Sequence, residues 1–179
     1  MDPPIPIRFA ALTDYAPLCA LWEELDEHHR RVRPDLFRKP AGPRRELAWV
    51  RDLIEAPDSA ILVAELEPAT LSGLAVVSFE QPEELPVRVS HPFVQIDNLV
   101  VAAAARRRGV GTALIRACVA WAADRGVDRV ELKMLEFNQG ARRFYEAVGF
   151  VTARRWMSLQ LDRFDQTALA RLGAEENPC

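Results

Sequence analysis

Residues 106–112 read Arg-Arg-Arg-Gly-Val-Gly-Thr. Three guanidinium groups stand beside two glycines one residue apart, and a helical pattern begins at Gly109. An apolar strand from Ile96 to Val101 leads into them. Strand, glycine turn and helix in that order present backbone N–H groups at a helix N-terminus. The helix leaves those groups unsatisfied and lends them partial positive charge. Glycine places no Cβ between the backbone and a large anion. The chemistry is that of a phosphate cradle. It is not a P-loop, because no Lys follows Gly111. Nor is it a dinucleotide fingerprint, because Leu114 stands where a third glycine or alanine is needed. The plain alternative is a glycine turn that starts a helix and binds nothing.

A second block follows at 138–150. Asn138, Ala141, Phe144, Tyr145, Gly149 and Phe150 have the spacing N-x-x-A-x-x-F-Y-x-x-x-G-F. The first block reads R-x-x-G-x-G through Arg106, Gly109 and Gly111. In this order, with one helix and one strand between them, the blocks resemble the coenzyme A signatures of the GCN5-related N-acetyltransferase (GNAT) family. The resemblance spans about residues 96–150. It implies a single-domain α/β fold: a mixed, mostly antiparallel sheet, flanked by helices and splayed at its central strand, with acetyl-CoA in the split. By position, the backbone of Leu99, Val100 and Val101 would pair with the pantetheine arm. Backbone amides of Arg106, Arg107, Arg108, Gly109, Val110, Gly111 and Thr112 would hold the pyrophosphate. Asn138 would hydrogen-bond the arm, and Tyr145 would lie near the thioester sulfur. The chain departs from the family in carrying Ala102–Ala105 where a proline is frequent.

Acetyl transfer to an amine needs an acid and a base. A phenol with an ordinary pKa of about 10 can protonate a departing thiolate, which suits Tyr145. Taken alone, Tyr145 reads as a half-buried core aromatic. The amine must lose a proton before or during attack. Asp97, on the central strand, is the candidate base, and simple strand alternation puts it on one face with Leu99 and Val101. A hydrogen-bonding role in the sheet is its alternative, and Glu65, Glu80 and His91 are weaker candidates. No cysteine is placed to carry an acyl group, so transfer is expected to be direct, in a ternary complex. The expected acceptor is a primary amine on a small molecule. Acids at Glu23–Glu27 and Glu83–Glu84 read as a solvated face or as a rim that draws a cationic amine. A protein N-terminus or lysine is the enzymatic alternative. A non-catalytic acyl-CoA sensor is the rival from another class.

These residues need elements to position them. An edge strand is expected at 5–10. A helix capped by Thr13 or Asp14 follows, with Leu18, Leu21, Trp22 and Leu25 on one face. Residues 33–43 hold three prolines and a glycine and read as a loop whose Leu36 and Phe37 must pack somewhere. A helix from about 44 to 55 and a hairpin of strands 60–66 and 71–80 come next. The central strand is 93–101, its helix about 109–125, and a strand spans 128–135. Asn138 caps a short helix that Gly149 ends. Strands at 150–154 and 156–161 would close the sheet. The acetyltransferase domain is therefore expected over 1–161. Residues 162–179 form a tail that could dock as a helix or contact a second copy in a homodimer.

The whole chain has 179 residues, a net charge of -3, 49% hydrophobic and 27% charged residues. That is a globular composition, and the mild acidity excludes a general nucleic-acid binder. Cys19, Cys118 and Cys179 lack paired spacing, so neither a disulfide framework nor a metal site is expected. No signal peptide or membrane span is legible, and a cytoplasmic location is expected.

Overall fold

The structure, a computed structural model, describes residues 4–42, 45–87 and 89–160. The expected tail at 162–179 and the start of the second helix at 44 lie outside these residues. Over the described residues the fold is a single α/β domain with a five-stranded mixed sheet and four α-helices. Its strands are β1 (Ile7–Phe9), β2 (Ser59–Glu67), β3 (Thr70–Glu80), β4 (Phe93–Val101) and β5 (Val130–Leu132). Its helices are α1 (Tyr15–Val32), α2 (Leu47–Glu55), α3 (Val110–Ala123) and α4 (Gln139–Ala147). Two compact units divide it, Met1–Arg142 and Arg143–Cys179, and α4 straddles the boundary.

In the first unit the strands lie in chain order, antiparallel except for the parallel pair β4–β5. Residues 60–64 and 71–77 are buried on both faces, which explains their largely apolar runs, with Ser72 the buried polar residue among them. On one face Leu18, Leu21 and Trp22 of α1 and Val50 of α2 pack against Ile61, Val63, Leu74, Val76 and Val100. The other face carries α3. There Gly73 sets the approach, because a Cβ would come within 2.7 Å of the Val100 carbonyl oxygen and 3.0 Å of Val110 Cγ1. That lets the N-terminal turn of α3 sit close against β3.

Several expectations need correction. Asp14 precedes α1 but does not cap it. Its carboxylate turns back to accept the Ala11 N–H at 2.8 Å and two Arg8 bonds at 2.7 and 2.9 Å. The guanidinium holds its carboxyl below the ordinary value. The strand expected at 128–135 is confined to Val130–Leu132. The strands expected after Phe150 are absent from 150–160. Val151, Trp156 and Met157 are exposed there. A β pattern makes a strand only when an edge is there to pair with, and among the described residues none pairs with this segment. No helix of the described residues is long and apolar enough to cross a membrane.

Candidate active site

β4 carries the site because only part of it is paired on the β5 side. β5 pairs with Val94, Gln95 and Ile96 alone. From Asp97 to Val101 that edge of β4 has no strand partner among the described residues. This is the splay that was expected. The Val100 carbonyl faces β3, as its approach to Gly73 shows. Carbonyls alternate along a strand, so those of Leu99 and Val101 face the open edge. An extended, amide-bearing chain can add there as a further strand.

The split begins at a β-bulge. Val76 pairs with Asn98 and Val77 with Ile96, so Asp97 is an extra residue in the β3 register. The bulge changes the face that simple alternation assigned to Asp97. Leu99 and Val101 pair with Ala75 and Gly73, on the α3 side. Asp97 instead turns to the side of α1 and α2. Its Oδ2 accepts from Ser78 Oγ and its Oδ1 from Gln95 Nε2, both at 2.9 Å. The next residue is anchored on that same side, where Trp22 Nε1 donates to Asn98 Oδ1 at 2.8 Å. Asp97 is exposed, so its carboxylate is held yet open to solvent.

After β4 the chain makes a 3-10 turn over Ala103–Ala105 and the basic turn 106–109. Arg107 and Gly109 both take left-handed backbone, at φ 59° and 82°. Such alternation curls successive N–H groups toward one point. Gly109 is the N-cap of α3 and has no side chain with which to cap it. The N–H groups of Val110, Gly111 and Thr112 fall in the first turn, which holds no acidic residue. Arg106, Arg107 and Arg108 are exposed beside them. The left-handed glycine is thus Gly109, whereas Gly111 lies inside the helix. These features fit the pyrophosphate of coenzyme A. Gly109→Val is expected to strain the turn by roughly 1–3 kcal/mol and to weaken CoA binding at least about tenfold. Calorimetric titration of the folded variant checks this, and unchanged affinity would reduce the turn to a helix start.

Asn138 caps α4 as expected. Its Oδ1 accepts the Ala141 N–H at 3.1 Å, which leaves its amide nitrogen as a donor for a ligand. Tyr145 belongs to the second compact unit. Its ring packs at 5.4 Å from Phe144 and 5.6 Å from Phe150, and Gly149 ends the helix at φ 102°.

Some contacts were not anticipated from sequence. The acids of α1 are engaged: Glu23 and Glu27 both pair with Arg30 of the same helix, and Asp26 pairs with Arg45 at 2.8 Å. Arg45 also lies over the rings of Trp22 and Trp49. An acidic rim free to attract a cation is therefore not what α1 presents. Phe37 stacks on His29 at 5.0 Å, and Phe137, next to Asn138, meets the same ring edge-on. Burial, with His28 nearby, holds His29 below the ordinary imidazole pKa, so it packs as a neutral aromatic. Burial pushes the Cys118 thiol up to about 12, which suits a core residue and not a nucleophile. Among the described residues no group of three His, Cys, Asp or Glu side chains could hold a metal.

Known proteins share this fold. Two mutant forms of the BH1408 protein from Bacillus halodurans have the same fold. For the tetramutant the TM-score is 0.83 at 28% identity, over 87% of this chain and 99% of that one. For the F44R mutant the TM-score is 0.83 at 27% identity, with the same coverage. The aminoglycoside N-acetyltransferase AAC(6')-Iy in complex with CoA shares the fold at 19% identity and a TM-score of 0.66. That likeness covers 87% of this chain and 98% of the other. No curated protein matches. The model of the acetyltransferase (GNAT) family matches residues 21–150, from α1 through both glycine blocks, and the chain belongs to that family.

Proposed function

We propose that the protein transfers an acetyl group from acetyl-CoA to a primary amine on a small molecule, by direct attack in a ternary complex. The observation that carries this reading is one continuous path. The open edge of β4 at Leu99–Val101 runs into the left-handed turn at Arg107 and Gly109 and then into the bare N-terminus of α3. When bound, acetyl-CoA supplies the thioester whose acetyl group is transferred.

The chain's own residues supply binding and proton transfer. Leu99 and Val101 offer backbone groups to the pantetheine amides. Arg106–Arg108 and the N–H groups of Gly109–Thr112 hold the pyrophosphate, and Asn138 steadies the arm. Asp97 accepts a proton from the amine nitrogen, directly or through a water. That nitrogen bonds to the acyl carbon as the C–S bond breaks, and the Tyr145 hydroxyl proton goes to the sulfur. The role of Tyr145 rests on its place in the second motif. The CoA-bound and bisubstrate-bound forms of AAC(6')-Iy support an amine acceptor by analogy of fold.

Thermal melts with acetyl-CoA, ATP and NADH side by side test the binding. Acetyl-CoA at about 100 times its dissociation constant is expected to stabilise the fold by roughly 2.7 kcal/mol. A shift with NADH and none with acetyl-CoA would overturn the reading. Thiol release across a panel of amines tests the transfer. Binding without turnover on any amine would leave an acyl-CoA sensor.

A further inference from the structure

Glu24 stands out on α1. Its acidic neighbours Glu23 and Glu27 pair within their own helix, but Glu24 reaches across the fold. Its Oε2 accepts the Ala103 N–H at 2.9 Å, from 79 residues away in sequence, and lies 3.9 Å from Arg106 Nη2. Ala103 opens the 3-10 turn, so its N–H has no acceptor within the turn. Ala102, the residue before it, has no side chain that could cap it. Arg106 in turn donates from Nε to the Val101 carbonyl at 3.2 Å. That carbonyl faces the open edge of β4. Glu24 therefore touches both ends of the connection that joins the edge to the basic turn.

We infer that Glu24 is a positioning residue that acts on the cofactor cradle in two opposed ways. Its oxygen fixes the turn at 103–105, and with it the start of the 106–109 turn. Its charge favours Arg106 lying over the Val101 carbonyl, away from an incoming phosphate. Both Glu24 and Arg106 are well exposed, so the charge effect is modest. The inference rests on the reading of this cradle as the CoA site.

The two effects separate by substitution. Gln accepts the Ala103 N–H through its amide oxygen but has no charge. Ala neither caps nor attracts. Calorimetric titration of the full-length protein with CoA compares wild type, Glu24→Gln and Glu24→Ala at low and high salt. Glu24→Gln is expected to bind CoA about threefold more tightly at low salt. That gain should vanish near 1 M salt, where charges beyond roughly 3 Å are screened. Glu24→Ala loses the cap and the charge together. It is expected to bind about fivefold more weakly near 1 M salt, the usual cost of a lost cap, and only about twofold more weakly at low salt. Equal weakening in both variants would overturn the inference, because a purely structural role predicts that. So would wild-type affinity in both. Glu24→Gln against wild type decides the sign of the charge effect even if the Ala variant fails to fold. A wild type that binds no CoA removes the cradle reading itself, which is a different result from wild-type binding that Glu24 does not influence.

Discussion

Turnover in Tyr145→Phe is expected to fall about 10²–10⁴-fold while affinity for CoA changes little. The substitution suits the site because the ring is the packed part. Phe144 and Phe150 flank it at 5.4 and 5.6 Å, and a phenyl ring preserves both contacts. Only the hydroxyl group is removed. If its proton goes to the leaving sulfur, the defect appears in kcat and not in cofactor binding. Steady-state rates on one accepted amine, with CoA titration of the same variant, are the measurement. Near-normal turnover would pass the acid role to solvent or a bound water.

The second large effect belongs to Asp97→Asn, with a loss of roughly 10²-fold near neutral pH. Asn keeps the shape and can still accept from Ser78 or Gln95, so the bulge is retained. It cannot take a proton from an ammonium group. In alkaline solution more of the amine is already neutral, so the defect is expected to shrink as pH rises. The Tyr145 defect has no such reason to shrink. Rate–pH profiles of wild type and both variants distinguish the roles. A loss in Asp97→Asn that stays constant with pH would make Asp97 a residue that positions substrate.

The positions most legible in sequence were those where local backbone chemistry decides the structure. β4 spans 93–101 as expected, and Asn138 caps α4. Gly126 and Gly149 close their helices with positive φ, which a single residue type can announce. The hairpin of β2 and β3 was legible from its apolar runs and the turn between them. What escaped depends on partners far along the chain. No glycine or proline in Ile96–Asp97–Asn98 marks the bulge, which exists only in register with Val76 and Val77. The Glu24 bond to Ala103 could not be read from a helical wheel, which shows only an acidic face. The segment 150–160 looked like strand by composition, but strand formation depends on an edge to pair with, and composition carries no such information. The site's parts were therefore more legible than their orientation: Asp97 was identified as a candidate, and its face was not.

The bulge also acts as a phase shift. Before it, the even-numbered residues Val94 and Ile96 face α3; after it, the odd-numbered Leu99 and Val101 do. The two halves of β4 are out of step by one residue, and Asp97 absorbs the difference. Removing Asp97 would restore an unbroken alternation with every core side chain still on its own face. Removing Asn98 would do the same but lose the Trp22 bond, whereas removing Gln95 would carry Val94 or Ile96 to the wrong face. The core thus fixes the strand's length everywhere except within the bulge, at Asp97–Asn98. Packing alone could dispense with one residue there, and the proposed proton transfer at Asp97 would give the extra residue a reason that packing does not.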